Sequence, residues 1–400
     1  MKLAYSLSLL ALLSTSSALA QTTLTFTPLA SLPDGGRYGM GYCQDQNSFY
    51  MVGGGSPAAT YNSSVFRYSV ANNTWTPAPT GTNVTPQRWT AAAIVDPNPS
   101  TGSIYVFNGA TPAPVTTLQI LPLSGGAGIF SPNPTPTSTA GVAVWNGLIY
   151  TFGGQDASGT YSNQLRSFNP TTNTWSNLAP MLEARQTYGA AINGKIYTVG
   201  GYNGVVNSAR VDAYDIATNQ WQALGTLPAT VSNQAVAVQG EWLWLVGDFT
   251  NQSFLAAYNT RTTELRTFTS NLPLRRNAAA IVRDNRLYVW GGNTAASNAS
   301  TLTDMWQANL AGVLANSTAR PTAPQLSAYP NPSTTGEFTL TLPVGTRTLE
   351  VHDALGRLVQ TAEPTTTSYL LRLSRQPAGV YSVRARTSQG LSAPCQLVRP

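Results

Sequence analysis

The sequence predicts an all-β protein, in which a six-bladed β-propeller is followed by a small Ig-like β-sandwich. Six repeats lie within residues 37–306, and each contains a hydrophobic strand that ends in a Gly pair or its remnant. These pairs are Gly53-Gly54, Asn108-Gly109, Gly153-Gly154, Gly200-Gly201, Gly247-Asp248 and Gly291-Gly292. Their first residues are 55, 45, 47, 47 and 44 positions apart. A strand-rich period of this length is typical of propellers, which have one four-stranded sheet per repeat.

The first segment, residues 1–20, has the pattern of a cleaved signal peptide. Lys2 precedes an apolar run that includes Leu9 and Leu13, and the segment ends on Ala18-Leu19-Ala20 before Gln21. This apolar run is too short to cross about 30 Å of hydrocarbon. We therefore expect export, with no membrane span in the mature chain.

The repeat at residues 185–224 shows how one blade is built. Its first two strands, residues 185–192 and 195–201, are joined by Asn193-Gly194, which favours a type I′ hairpin turn. Residues 209–215 and 221–224 form the third and fourth strands. The innermost strands are rich in small residues because blades converge on an axis, while Trp and Tyr side chains fill the wedge between blades. The repeat at residues 88–130 is the most divergent.

The sixth repeat lacks a fourth strand after Ala308. Residues 24–33 resemble residues 265–273, which belong to the end of the preceding repeat. We predict that residues 23–29 complete the sixth blade beside residues 301–309, so that the propeller covers residues 21–312. This closure removes an open sheet edge.

The Gly pairs, the Tyr before them, the Tyr/Phe-Asp/Asn turns and the Trp of the fourth strand together resemble the Kelch repeat. The resemblance covers about residues 23–310. It implies a Kelch-type propeller that binds ligands at the mouth formed by the loops after the second strands and before the first strands.

Residues 313–326 have the composition of a linker, and residues 327–400 have short alternating strands separated by turns. This last segment resembles the C-terminal (Por) sorting domain of the type IX secretion system of Bacteroidetes. The resemblance depends on Tyr329-Pro330-Asn331-Pro332, the Asp353-x-x-Gly356-Arg357 core, Ala378-Gly379-Val380-Tyr381 and a final short strand. It implies the secretion machinery as a partner and a secreted or cell-surface location, often after removal of the domain. An Ig-like adhesive or spacing domain that stays in place is the alternative.

Composition excludes several kinds of chemistry. The net charge of +6 comes from scattered Lys and Arg residues, so no basic face for nucleic acid is predicted. The one histidine, His352, lies outside the propeller, which argues against His-based triads and His-rich metal sites there. No cofactor motif occurs, and we expect neither a cofactor nor a metal. Cys43 and Cys395 are expected to be two unpaired thiols, with a disulfide between them as the alternative.

Polar and aromatic residues recur at the predicted mouth, where Arg beside aromatic rings suits proteins or glycans. The alternative is structural, because an Arg at a strand start can bond carbonyls of a neighbouring blade. The candidate ligand-binding residues are Arg37, Arg88, Trp89, Gln155, Asp156, Arg185, Tyr188, Tyr202, Asn203, Arg276 and Asn293.

The favoured function is an exported, non-catalytic propeller that binds a protein or glycan partner at one mouth. No catalytic residue is predicted. The alternative is a sugar-processing enzyme, similar to sialic-acid epimerases or lyases, that uses Arg, Tyr and carboxylate groups. Such an enzyme would bring Asp156, Glu183 or Asp248 within hydrogen-bond reach of an Arg and a Tyr in one pocket.

Overall fold

The structure is a computed structural model that describes residues 22–79, 81, 83–314, 326–343, 345–387, 390–391 and 394–400. Its described residues form β-strands and one 3₁₀ turn, Asn298–Ser300, with no α-helix among them. They divide into two compact units, the first ending at Ala311 and the second beginning at Gly312. The predicted all-β fold is confirmed. The signal-peptide prediction for residues 1–20 and most of the predicted linker lie outside the described residues.

The described part of the first unit contains six four-stranded antiparallel sheets, which we call blades 1 to 6 in chain order. In blades 1 to 5 the strands follow one another from the innermost to the outermost. The strands of blade 1 are Gly41–Gln44, Ser48–Val52, Val65–Ser69 and Thr74–Pro77. Those of blade 2 are Ala91–Ile94, Ser103–Phe107, Thr117–Pro122 and Ile129–Pro132. Those of blade 3 are Gly141–Trp145, Leu148–Phe152, Leu165–Asn169 and Thr174–Asn177.

Blades 4 and 5 repeat this order, and blade 6 departs from it. The strands of blade 4 are Gln186–Ile192, Lys195–Tyr202, Asn207–Asp215 and Gln220–Thr226. Those of blade 5 are Ala235–Gln239, Trp242–Val246, Leu255–Asn259 and Leu265–Thr267. Those of blade 6, from the innermost outward, are Ala279–Arg283, Arg286–Trp290, Met305–Asn309 and Phe26–Pro28.

Blade 6 joins the two ends of the first unit. Phe26 pairs with Ala308 and Pro28 with Trp306 in an antiparallel register. The preceding strand, Thr23–Leu24, pairs in parallel with Thr269–Ser270, which follows the outer strand of blade 5. The innermost strand of each blade contacts those of both neighbouring blades, including blade 6 with blade 1. The innermost strands therefore form a closed ring around an axis.

The local sequence explains the tight turns of the blades. Asn193 and Gly194 have φ angles of 50° and 76°, as the predicted type I′ hairpin requires. At the other end of the same strand, Gly200 has a φ of 59°, and a Cβ there would collide with the carbonyl oxygen of Val231 in the next blade. Glycine is needed at this position both for its φ angle and for the close approach of the next blade.

Aromatic side chains fill the wedge between blades, as the wedge between blades 1 and 6 shows. Phe49 of blade 1 stacks on Trp290 of blade 6 with ring centroids 5.8 Å apart, and it forms a T-shaped pair with Tyr288, whose ring centroid is 4.9 Å away. Phe49 and Trp290 are completely buried. Burial of such large rings is a major source of stability. The Trp indole of an outer strand also bonds the preceding blade: Trp221 Nε1 donates to the Ala179 carbonyl at 2.8 Å.

The second unit contains two sheets around a core of its own. One sheet has the strands Ser327–Tyr329, Glu337–Thr341 and Ser368–Arg372. The other has the strands Leu358–Ala362, Thr346–His352, Gly379–Thr387, Gly390–Leu391 and Cys395–Arg399, the last two of which pair with Gly379–Thr387. Alternate residues of both sheets, such as Phe338, Leu371, Val351 and Val383, are completely buried against each other.

Candidate binding site at one mouth of the ring

Strand order places two kinds of loop at the same end of the ring. In an antiparallel blade, the loop after the second strand and the loop that enters the next innermost strand share one end, and the two hairpin turns share the other. We call the first end the upper mouth. All the candidate residues except Tyr188 lie in these loops or at the strand ends beside them.

Two of the candidate arginines, Arg37 and Arg185, are buried beneath the upper mouth and paired with carboxylates. Arg185 has no exposed surface; its Nε donates to the Gly200 carbonyl at 3.0 Å, and its Nη2 donates to Asp212 at 2.8 Å. Arg37 is 1% exposed and donates to Gly36 and Ser64. These contacts match the structural alternative, in which an Arg at the strand start holds loops of the ring together. Neither side chain is accessible to a partner at the mouth.

Arg88 is the partly exposed cation at the centre of an aromatic cluster. Its Nη1 donates to the Tyr38 hydroxyl at 2.6 Å, and its guanidinium carbon lies 5.4 Å from the ring centroids of both Tyr61 and Trp89. Tyr38 in turn donates to Asn298 Oδ1 at 2.6 Å. Within the described residues Arg88 forms no ion pair, whereas Arg185 and Arg37 do. Arg88 thus presents an uncompensated charge in a fixed position.

Arg276 is a second arginine beside an aromatic ring on the same mouth, and it is more buried than Arg88. Its guanidinium lies 4.1 Å from the ring centroid of Phe249, and it is 7% exposed. It has the same position in blade 6 that Arg88 has in blade 2, since each pairs its backbone with the residue after the Gly pair, Asn293 or Ala110. Burial lowers the pKa of Arg276, because desolvation disfavours its charged form. Asn293 is 2% exposed and accepts from Asn277 Nδ2 at 2.9 Å.

The candidates of blade 3 stabilise their own loop. Asp156 is exposed, and one carboxylate oxygen accepts from the N–H groups of Ser158 and Thr160. These hydrogen bonds lower the pKa of Asp156, the Ser158 hydroxyl being the largest cause. Gln155 Nε2 donates to the Gly159 carbonyl at 2.9 Å.

The candidates of blade 4 connect two loops of the mouth. Asn203 Nδ2 donates to Glu183 at 2.9 Å, and Glu183 also pairs with Arg210 at 3.6 Å. The Tyr202 ring meets the Tyr161 ring of blade 3 edge-on at 5.6 Å. Tyr188 lies lower, inside the axial channel, where burial raises its pKa.

The axial channel forms a cavity of about 340 Å³, lined mainly by small and aliphatic residues of the innermost strands. Tyr42 crosses it from blade 1, and its hydroxyl donates to the Val236 carbonyl of blade 5 at 3.2 Å. Burial raises the pKa of Tyr42 to about 12. Cys43 borders the same cavity and is an unpaired thiol, whose pKa burial also raises.

Sequence reasoning missed several residues of the upper mouth. Exposed aliphatic and aromatic residues occur in its loops, with 49–83% of each residue's surface accessible. They are Leu182, Val205, Val206, Phe249 and Leu274. Tyr61 and Asn298 were also missed, because they lie late in loops that vary in length and share no motif. The signal that could have found the exposed set is the presence of large apolar residues in otherwise polar loops.

Neither a metal site nor a membrane span is evident in the part of the chain that the structure describes. It contains no group of three His, Cys, Asp or Glu residues that could hold a metal ion. It also contains no helix with the length and apolar character that a membrane crossing requires.

Comparison with known families identifies both units. Residues 39–248 match the family described as "KLHDC2/KLHL20/DRC7 Kelch-repeats domain". Since this match covers more than half of the chain, the chain belongs to the Kelch-repeat family. Residues 327–395 match the "Secretion system C-terminal sorting domain", so both predicted resemblances are confirmed. This second match supports export to the cell surface or beyond.

The similar curated proteins share only part of the chain. Kelch-like protein 7 of Rattus norvegicus is 31% identical over 113 residues, which cover 27% of this chain and 19% of that protein. Kelch-like protein 35 of Mus musculus is 28% identical over 166 residues, covering 40% of this chain and 28% of that protein. Kelch-like protein terF of Aspergillus terreus is 30% identical over 172 residues, covering 38% and 35%. The chain thus spans about a fifth to a third of the length of these relatives.

Proposed function

We propose that this protein is an exported binding protein whose Kelch propeller holds a partner at the upper mouth. Residues 327–400 address it to the secretion machinery, and the signal peptide at residues 1–20 starts its export. The mature protein is secreted or stays at the outer cell surface.

The proposal is supported mainly by the fixed position and the unpaired charge of Arg88. Aromatic rings and the Tyr38 hydroxyl hold its guanidinium in one position, while no described carboxylate neutralises it. A fixed, uncompensated Arg in an aromatic setting is a common feature of binding hot spots. Preorganisation reduces the entropy lost when a partner binds. We expect a carboxylate of the partner to pair with Arg88.

A protein partner is the first candidate because the same mouth exposes Leu182, Val205, Phe249 and Leu274. Exposed apolar groups on the same mouth as a charged aromatic cluster suit a protein loop. An acidic glycan is the second candidate. It is favoured by the partly exposed rings of Trp89 and Tyr202, on which a sugar can stack.

The enzyme alternative has weaker support from the geometry. Asp156 and Asp248 accept hydrogen bonds from N–H groups of their own or adjacent loops, and Glu183 pairs with Arg185 and Arg210. These carboxylates lie in different loops and stabilise them. The expected cluster of a carboxylate with both an Arg and a Tyr in one pocket is not evident among the described residues.

The test measures binding of the labelled full chain to intact cells of the producing organism. We expect Arg88→Gln to weaken binding by about tenfold or more, because a hot-spot residue contributes about 2 kcal/mol. Arg261→Gln is the matched control, since Arg261 is exposed in a hairpin turn at the opposite end of the ring. It should bind like the native chain, and both variants should keep the native melting temperature.

Treating the cells separates the two partner classes. Protease treatment should abolish binding if the partner is a protein, and periodate oxidation should abolish it if the partner is a glycan. Equal binding by the native chain and the Arg88→Gln variant would reject the site.

A further inference from the structure

A ring of backbone hydrogen bonds surrounds the axis at the upper mouth. In five blades, the residue two positions before the innermost strand has a left-handed backbone, with φ angles of 56–58°. We call these five residues the collar; they are Gly39, Trp89, Thr139, Asn233 and Asn277.

Each collar residue bonds the collar residue of an adjacent blade. The N–H of Thr139 donates to the Trp89 carbonyl at 3.0 Å, and the N–H of Trp89 donates to the Gly39 carbonyl at 2.7 Å. The N–H of Gly39 donates to Asn277 at 3.0 Å, and that of Asn277 donates to Asn233 at 2.8 Å. The bonds therefore run through blades 3, 2, 1, 6 and 5 and stop on either side of blade 4.

Blade 4 lacks a collar residue because its chain is one residue shorter there. Two hydrogen bonds mark equivalent positions in the blades. In blade 2, the Gln87 carbonyl accepts from the Gly54 N–H, and the Thr90 hydroxyl donates to the Phe107 carbonyl. Gln87 and Thr90 are three positions apart. In blade 4, the Arg185 carbonyl accepts from the Gly154 N–H, and the Thr187 hydroxyl donates to the Val199 carbonyl. Arg185 and Thr187 are only two positions apart. The missing residue is the one that would have the left-handed conformation.

The break leaves two backbone groups without the collar bond that their counterparts in the other blades make. These are the carbonyl of Thr139 and the N–H of Asn233, and no described residue completes either bond. Both residues line the 340 Å³ cavity, as does Tyr188 on the blade 4 side. This volume lies within the range of about 300–1,000 Å³ that is usual for ligand sites. The break is thus an opening in the collar at the rim of the cavity, beside the Gln186 amide, which donates to Asn233 Oδ1 at 3.3 Å.

We infer that this opening binds one backbone residue of a partner's peptide loop, which takes the place of the missing sixth collar residue. The N–H of the inserted residue donates to Thr139, and its carbonyl accepts from the N–H of Asn233. Because the other collar residues are left-handed, the site favours Gly or Asn, which adopt this conformation at least cost. The inference depends on the proposed function, since it names a peptide as the ligand of the same mouth.

The test uses N-acetylglycine N-methylamide as a minimal peptide probe. The full chain is labelled with [¹⁵N]Asn, and the Asn233 backbone signal is assigned by its loss in Asn233→Gln. We expect the probe to shift this signal in a saturable manner. An ester analogue, in which oxygen replaces the glycine N–H, should bind about tenfold more weakly, because it cannot donate to Thr139.

A variant with one Asn inserted between Gln186 and Thr187 should close the collar, lose probe binding and keep or raise the melting temperature. Equal affinity for the amide and ester probes would overturn the inference, even if the insertion variant fails to fold. So would probe binding by a folded insertion variant, or preferential binding of N-acetylglucosamine.

If Arg88→Gln weakens cell binding while the probe does not bind, only the collar inference fails. If the probe binds while Arg88→Gln has no effect, only the proposed Arg88 site fails.

Discussion

Three arginines, Arg37, Arg185 and Arg275, lie shortly before an innermost strand and are buried there. Each pairs with at least one carboxylate, and Arg185 and Arg275 also donate to a carbonyl of a Gly pair, Gly200 or Gly291. Burying a charge is costly unless it is paired and hydrogen-bonded. These residues therefore hold the loops of the ring together.

Loss of the Arg185 side chain is expected to destabilise the ring strongly. Arg185→Ala leaves Asp212, which is 1% exposed, with Arg210 as its remaining ion-pair partner. Breaking a buried pair costs about 3 kcal/mol or more of unfolding free energy. Guanidinium unfolding measures the loss. The control Arg210→Ala removes a partner that is 35% exposed and should cost less than about 1 kcal/mol. Similar small losses for both variants would contradict this role.

The sequence showed that Arg and aromatic residues recur before the innermost strands, but it could not separate the buried arginines from the partly exposed Arg88. Arg37 and Arg88 occupy neighbouring repeat positions, and consecutive residues of an extended chain point to opposite sides. Blade 4 has one residue fewer before its innermost strand, so the one-position difference between the two kinds of Arg is harder to see in an alignment of the repeats. Tyr61 and Asn298 join the Arg88 cluster only through folding, because each comes from a different loop.

At the scale of elements, the repeat made strands and hairpins predictable. Asn-Gly turns and Gly pairs report backbone conformation directly, so their positions in the chain correspond to turns in the structure. The loops after the second strands carry no such constraint, which is why their exposed side chains were missed. The pairing of Phe26–Pro28 with Met305–Asn309 joins elements about 280 residues apart.

Phe26 should therefore contribute strongly to the unfolding free energy, although it lies near the amino terminus. It is 1% exposed in the outermost strand of blade 6. Phe26→Ala should lower the unfolding free energy by about 3–5 kcal/mol, since a large buried ring is lost. The matched control is Phe130→Ala in the outermost strand of blade 2, where the side chain is 57% exposed and the change should stay within about 0.5 kcal/mol.

Calorimetry of the two Phe variants provides an independent check. The melting temperature should fall for Phe26→Ala and remain native for Phe130→Ala. An unchanged melting temperature for Phe26→Ala would show that the amino-terminal strand does not hold the ring closed.

At the scale of the whole molecule, composition and burial together determine how stability depends on pH. The chain has a single histidine, so few groups change charge between about pH 6 and 9. It has 18 tyrosines, and burial raises the pKa of Tyr42, Tyr68, Tyr214 and Tyr258 to about 12. The neutral phenol is thus favoured in the folded state relative to the unfolded state, where the pKa is about 10.

Stability should therefore be flat from about pH 6 to 9 and fall as the pH rises from about 10 towards 12. Above pH 10 the unfolded state releases protons that the folded state retains, so unfolding becomes more favourable by about 1.4 kcal/mol per pH unit for each such tyrosine. Guanidinium unfolding at several pH values, with tyrosinate absorbance, measures this slope. Tyr68→Phe should give a shallower slope from a lower starting stability, because it loses both a titrating group and the bond to Asn73. A fall in stability between pH 6 and 8, or an unchanged slope in Tyr68→Phe, would contradict the assignment to buried tyrosines.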